Sequence, residues 1–197
     1  MTTNLFDELD ADDCALARLH QRLEHAADTG GLLDVAYRTI DTPVGTLLLA
    51  ATTAGLVRVA YDVEGHDAVL AGLADRISPR LLRAPARLDT AARQIDEYFA
   101  KRRTAFEVPV DLRLAEGFRR SVIEHLRAIG YGHRESYAAV AAAIGHPRAV
   151  RAVGTACAHN PLPVVIPCHR VVRSDGSTGQ YVGGPLAKST LLDLEAA

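Results

Sequence analysis

The sequence predicts an α/β domain followed by an α-helical domain built around a helix-turn-helix, and two observations carry this. Three short runs rich in valine, leucine and threonine, punctuated by glycine and proline, succeed one another between residues 34 and 61, the pattern of a strand meander. Beyond residue 112 the apolar residues recur instead with a helical period, Phe118, Val122, Leu126 and Ile129 lying on one stripe. A chain of 197 residues that is 48% hydrophobic and 23% charged can bury a sizeable core and suits one large domain or two small ones.

In chain order, residues 1–33 form an acidic helical extension. Leu16, Leu19, Leu23 and Ala27 stand at i, i+3, i+7 and i+11 behind Asp7, Glu8, Asp10, Asp12 and Asp13, and the pattern stops at Gly30-Gly31. Residues 34–111 form the α/β domain, with strands expected over Asp34–Ile40, Thr46–Ala51 and Leu56–Tyr61. The turns between them are Pro43-Val44-Gly45 and Ala54-Gly55. Helices are expected over His66–Ile77 and Asp89–Arg103, and Phe106–Leu112, which contains Pro109, reads as an extended linker.

The remaining residues, 112–197, form the helical domain. Its first helix turns Phe118, Val122, Leu126 and Ile129 to the core while Arg119, Arg120 and Arg127 lie off the stripe. Ser136 can cap a second helix with Tyr137, Val140 and Ile144 on one face, and Gly145-His146-Pro147 turns into a third. There Val150, Val153 and Cys157 share one face and Arg148, Arg151 and Thr155 another, while Ala149, Ala152 and Gly154 keep the helix slim. An apolar face against a core with an arginine face outward is a nucleic-acid-reading geometry, although small residues serve ordinary helix packing as well. The charge distribution says where such a surface would lie. Residues 1–112 carry 12 basic and 18 acidic side chains, a net charge of −6, whereas residues 113–197 carry 10 and 6, a net charge of +4. A phosphate-facing surface therefore belongs to the second half.

Neither a charged start leading into an apolar segment nor an apolar run of about 18 residues is present, which argues against a signal peptide and a membrane span. The sparse, odd set Cys14, Cys157 and Cys168 does not suit a secreted disulfide framework; it suits a reducing, cytoplasmic compartment in which a thiol persists. Cys168 is the candidate nucleophile. It stands in Ile166-Pro167-Cys168-His169-Arg170-Val171-Val172, and a thiol needs a base because at an ordinary pKa of about 8.5 it is only slightly ionised at neutral pH. His169 is the nearest base, yet adjacent side chains diverge on either a strand or a helix, so adjacency alone does not pair them.

The wider context is Arg151-Ala152-Val153-Gly154, then Asn160-Pro161-Leu162-Pro163 leading into the cysteine segment, then Gly179-Gln180-Tyr181-Val182-Gly183-Gly184 and Leu191-Leu192-Asp193-Leu194-Glu195. Four ordered motifs at these spacings resemble the O6-alkylguanine-DNA alkyltransferase family over residues 112–195. The resemblance implies a ribonuclease H-like N-terminal α/β domain and a winged helix-turn-helix C-terminal domain. It implies a monomer that binds double-stranded DNA, flips O6-alkylguanine out of the stack, and takes the alkyl group irreversibly onto Cys168, with O4-alkylthymine as an alternative substrate. No cofactor and no metal are implied for this transfer, and the protein is consumed in one turnover.

The same resemblance implies a role for each site residue. His169 is the base acting through a water, Glu195 orients it, Tyr137 protonates or polarises the leaving base, and Asn160 orders the loop carrying the nucleophile. Arg151 fills the vacancy left by the flipped base, with Arg148, Ala152 and Thr155 beside it on the DNA-binding helix. Tyr181, Val182, Gly183 and Val171 line the guanine pocket. Three departures from the family pattern stand out: Ile123 replaces an aromatic residue, Gly130 a proline, and Val182 a smaller residue. With Pro185 after the double glycine, the last of these predicts a narrower or differently shaped pocket, so the family pattern does not fix its tolerance of bulky alkyl groups.

Two other classes compete. A non-catalytic sensor of alkylated DNA would lack the cysteine, and a winged-helix regulator gives no reason for Cys168, His169 and Glu195 together. A metal site at Cys14, His20 and His25 is disfavoured because His20 lies off the helical face that the other two share.

Overall fold

A computed structural model of the chain describes the backbone of residues 5–196 and the side chains of residues 15–196. Runs of branched and aliphatic residues make β1 (Val35–Ile40), β2 (Leu47–Thr52) and β3 (Gly55–Tyr61), antiparallel neighbours with Tyr37 opposite Ala50 and Leu48 opposite Ala60. Every residue of β2 is buried, as expected of an unbroken apolar run covered on both faces. One face meets α2 (His66–Arg76), where Val35, Ala50 and Val57 pack with Leu73. The other meets α3 (Asp89–Phe99), where Leu47, Leu49 and Val59 pack with Ile95 and Tyr98.

A fourth strand, β4 (Leu81–Arg83), runs parallel to β1 and gives the sheet the order β3-β2-β1-β4. It is absent from the sequence reading because three residues are too few to show a period. The expected linker also does more than connect. Leu56 N–H donates to Pro109 O at 2.8 Å and Asp111 N–H to Leu56 O at 2.8 Å, so residues 109–111 run along the free edge of β3. The helix expected to reach Arg103 ends at Phe99. Lys101 adopts φ 56°, and Arg102 N–H bonds back to Glu97 O at 2.8 Å. This is a left-handed helix stop with lysine where glycine is usual, so the sequence carries no stop signal.

The N-terminal helix, α1 (Leu5–Thr29), forms as its periodicity predicts, but its leucine stripe is not buried. Leu16, Leu19 and Leu23 are each more than half exposed, while Ala27 alone packs beside Leu33, Ala36 and Ala84. Polar contacts tether the helix instead: His20 Nε2 lies 2.7 Å from Arg83 O and 2.8 Å from Glu24, and Asp28 pairs with Arg87. The side chains of the acidic stretch at residues 7–13 and of Cys14 lie outside the described residues.

The second half contains α4 (Gly117–Leu126), α5 (Tyr137–Ala143), α6 (Val150–Ala158) and α7 (Gly184–Ala196). Ser136 caps α5 as predicted, its Oγ accepting Ala139 N–H at 3.0 Å. The short strands β5 (Glu135–Ser136) and β6 (Val171–Val172) pair in parallel, tying the start of α5 to the segment after Cys168. Val122, Leu126, Val140, Val153 and Leu191 join Leu47, Leu49 and Tyr98 in one continuous core, so the two halves share their interior. No helix among the described residues is long and apolar enough to cross a membrane.

Candidate active site

The loop from Asn160 to Pro167 delivers Cys168 to the interior. Asn160 closes it from within: Nδ2 donates to Ile166 O at 2.8 Å and lies 3.1 Å from Cys168 Sγ, while Oδ1 accepts Leu162 N–H at 3.0 Å. Val164 in this loop sits at φ 70°, a region that a β-branched residue occupies only when its surroundings hold it there. The edge of the sheet supplies part of that hold, Val59 N–H donating to Pro161 O at 2.8 Å. Cys168 then opens a single 3₁₀ turn, Cys168–Arg170, in which all three residues are buried.

The turn resolves the adjacency problem. His169 points away from the loop to Glu195 on α7, with Nε2 3.0 Å from Oε1 and neither side chain exposed. Its Nδ1 is buried with no hydrogen-bond partner among the described residues. Arg170 reaches the same carboxylate through Nε at 2.9 Å to Oε2 and Nη2 at 2.8 Å to Oε1, and its Nη1 donates to Ile129 O. Tyr98 from α3 donates to Oε1 at 2.7 Å. A buried carboxylate is tolerable only when its lone pairs are filled and its charge balanced; here the Arg170 guanidinium balances it.

The protonation states follow. Burial pushes the Glu195 carboxyl up, but hydrogen bonds from His169 and Arg170 outweigh it and hold the group well below the usual range. Burial lowers the His169 imidazole despite the opposing hydrogen bond and charge of Glu195. The imidazole is therefore neutral beside an ionised carboxylate whose countercharge is Arg170. Burial pushes the Cys168 thiol up to about 11, against the lowering effects of Asn160 and Lys188. The resting sulfur thus keeps its proton at neutral pH, and chemistry at this atom needs a proton acceptor.

Around the thiol the structure gathers most of the predicted pocket. Tyr137 is half-buried, and burial followed by the nearby thiols pushes its hydroxyl up to about 12. A Cβ at Gly179 would lie 2.9 Å from that hydroxyl, and φ is 66° there, so glycine is required. Tyr181 meets His169 edge-to-face at 6.3 Å between ring centres. Val171 is buried, Val182 partly so, and a Cβ at Gly183 would fall 2.6 Å from the Tyr61 ring. Arg148, Arg151, Ala152 and Thr155 lie apart from this cluster, all exposed on or just before α6.

Four side chains at the site escaped the sequence reading. Arg170 stands inside the cysteine motif and could have been flagged there. Lys188 is fully buried, donates to Val171 O at 2.6 Å, and sits 5.8 Å from the Tyr137 ring centre. Its signal was its spacing, three, four and seven residues before Leu191, Leu192 and Glu195, which puts a lysine on the core face of α7. Tyr61, whose hydroxyl lies 3.0 Å from that of Tyr181, and Tyr98 come from the N-terminal half. No local pattern connects them to residues about a hundred positions away.

Comparison with known proteins agrees with this architecture. A family model described as the 6-O-methylguanine DNA methyltransferase ribonuclease-like domain matches residues 35–112, and one described as the DNA binding domain of the same protein matches residues 117–197. The methylated-DNA–protein-cysteine methyltransferase of Mycolicibacterium paratuberculosis is 38% identical over 161 residues, covering 82% of this chain and 92% of that one. Its counterpart in Methanosarcina barkeri is 38% identical over 162 residues, covering 81% and 96%. Among solved structures, the Mycobacterium tuberculosis O6-methylguanine methyltransferase has a TM-score of 0.73 at 36% identity, covering 82% of this chain and 93% of its own. The M. tuberculosis OGT in complex with DNA has a TM-score of 0.70 at 36% identity, covering 82% and 92%. Matched over both halves, the chain belongs to the 6-O-methylguanine DNA methyltransferase family.

Proposed function

We propose that this protein repairs O6-alkylguanine in double-stranded DNA by moving the alkyl group irreversibly to Cys168. The observation that carries the reading is the buried pair of neutral His169 and ionised Glu195 next in the chain to buried Cys168, with Nδ1 of His169 unpartnered among the described residues and so available to take a proton. In the proposed step Cys168 loses its proton to His169, directly or through one water, and the thiolate attacks the alkyl carbon. The S–C bond forms as the C–O6 bond breaks. The electron pair stays on the guanine oxygen, and the departing base takes a proton with help from the Tyr137 hydroxyl. Glu195 holds the imidazolium that forms, and the Lys188 ammonium favours negative charge at sulfur. The thioether is stable, so the protein turns over once; the displacement calls on no cofactor.

Residues 34–111 act as the framing domain and residues 112–197 as the DNA-binding, alkyl-accepting domain, with residues 1–33 as an added arm. Arg151 enters the stack in place of the flipped guanine, and Arg148, Ala152 and Thr155 face the groove and phosphates. Tyr181, Val182, Gly183 and Val171 enclose the base, with Val182 restricting the room for bulky groups. Two free buried thiols, Cys157 and Cys168, fit the reducing cytoplasm.

The test is the intact mass of the protein after mixing with a duplex holding one O6-methylguanine, beside Cys168→Ser. A gain of one methyl on the native protein only, with guanine restored in the DNA, is the expected result. Lesion binding with no mass gain on either protein overturns the transfer reading and leaves a sensor. A duplex holding O4-methylthymine, run alongside, tests the alternative substrate.

A further inference from the structure

The Glu195 carboxylate takes a hydrogen bond from outside the alkyl-accepting domain. Tyr98 lies on α3, ninety-seven residues away in sequence, is fully buried, and donates its hydroxyl to Oε1 at 2.7 Å, the oxygen that also receives His169 Nε2 at 3.0 Å. Its ring is fixed by three aromatic neighbours, Phe99, Phe106 and Tyr131, with centroids 5.3 to 6.1 Å away. Packing therefore accounts for the ring, but not for a hydroxyl aimed at the oxygen that holds the base.

We propose that Tyr98 is a positioning residue for alkyl transfer: its hydroxyl shares Oε1 with His169 and thereby sets how strongly Glu195 holds the imidazole proton. The proposal rests on His169 acting as the base. The other groups facing this carboxylate are Arg170, the Gly132 N–H at 3.3 Å, and the Tyr131 ring, whose own hydroxyl donates to Leu194 O. Around the imidazole stand Glu195, Arg170, Lys188 and the Tyr181 ring. A donor removed from Oε1 leaves the carboxylate a stronger acceptor for the remaining proton. Imidazolium is then favoured, and the base is lost at a higher pH.

The experiment is the single-turnover rate of methyl transfer from a duplex with one O6-methylguanine, measured across pH. The variants are Tyr98→Phe, His169→Gln and, as a control on packing, Tyr131→Phe; thermal melts check that each is folded. With Tyr98→Phe the acid limb is expected to move up by about one pH unit, a roughly tenfold loss below the limb and little loss on the plateau. Tyr131→Phe leaves the limb in place. Replacing Tyr98 with 3-fluorotyrosine, a stronger donor of nearly the same shape, shifts the limb the other way, and provides the test if Tyr98→Phe does not fold. A limb that His169→Gln abolishes but the Tyr98 replacements leave unmoved overturns the proposal alone. A limb that survives His169→Gln overturns the base reading and the proposal with it.

Discussion

The inner end of α7 and the outer face of α6 treat charge in opposite ways. At Glu195 a carboxylate, a guanidinium, an imidazole and a phenol are buried together, and the carboxylate is filled by donors from three separate segments, Tyr98, His169-Arg170 and the Gly132 N–H. On α6, Arg151, with Arg148 just before it, is exposed, and neither guanidinium has a hydrogen bond or ion pair among the described residues. An arginine inside the protein has its partner built in, because an unpaired buried charge is prohibitive. One outside can stay unpaired at little cost, ready for a phosphate or a gap in a base stack. The same residue type thus balances a buried charge in one place and, on the proposed reading, serves recognition in the other, and mutation should separate the two.

The largest expected effect is at the buried end. Arg170→Met leaves Glu195 without its countercharge and should destabilise the protein by about 3–5 kcal/mol, measured by denaturant unfolding. A loss below about 1 kcal/mol would mean that the network is more wetted than its burial indicates.

The second effect is a pH slope. The folded protein holds His169 neutral, its pKa lowered from 6.5, while the unfolded chain titrates near that ordinary value. As pH falls below about 6.5 the unfolded state alone takes up this proton, so stability declines toward acid by up to about 1.4 kcal/mol per pH unit until the folded imidazole also protonates. Glu195 adds a further loss only below about pH 4.5, its carboxyl being held low in the fold. His169→Gln should flatten the first slope, and melts from pH 7.5 to 5 would show it.

The smallest stability effect belongs to the exposed face. Arg151→Ala should change unfolding free energy by less than about 0.5 kcal/mol while weakening binding to lesion-bearing duplex and slowing methyl transfer. If Arg151 contacts phosphate alone, the salt dependence of binding falls by about one ion and the loss is uniform across sequences. A loss confined to duplexes that must be flipped assigns it to the stack.

How much of this was legible in advance varies by residue. The three long strands, the cap at Ser136 and the arginine face of α6 follow from periods and local hydrogen-bonding chemistry, and they stand where the sequence puts them. The motifs singled out Cys168, His169, Asn160 and Glu195, and all four are buried. β4 was too short for a period, and the end of α3 carried lysine where a helix stop usually carries glycine. The leucines of α1 marked the helix but left its burial open, because periodicity reports that a face is apolar and not that anything covers it.

The amino-acid sequence by itself determined the type of the longer elements and the charge asymmetry between the halves, and it singled out Cys168 as the candidate nucleophile, since the periods, charges and motifs behind these lie along short stretches of the chain. Only the tertiary structure decided that adjacent Cys168 and His169 part company at a 3₁₀ turn, that Arg170 and not solvent balances Glu195, and that Tyr61 and Tyr98 reach the site from the other half. Those outcomes turn on the low dielectric of a shared interior, where each charge or polar group must find a partner however far away in sequence it lies.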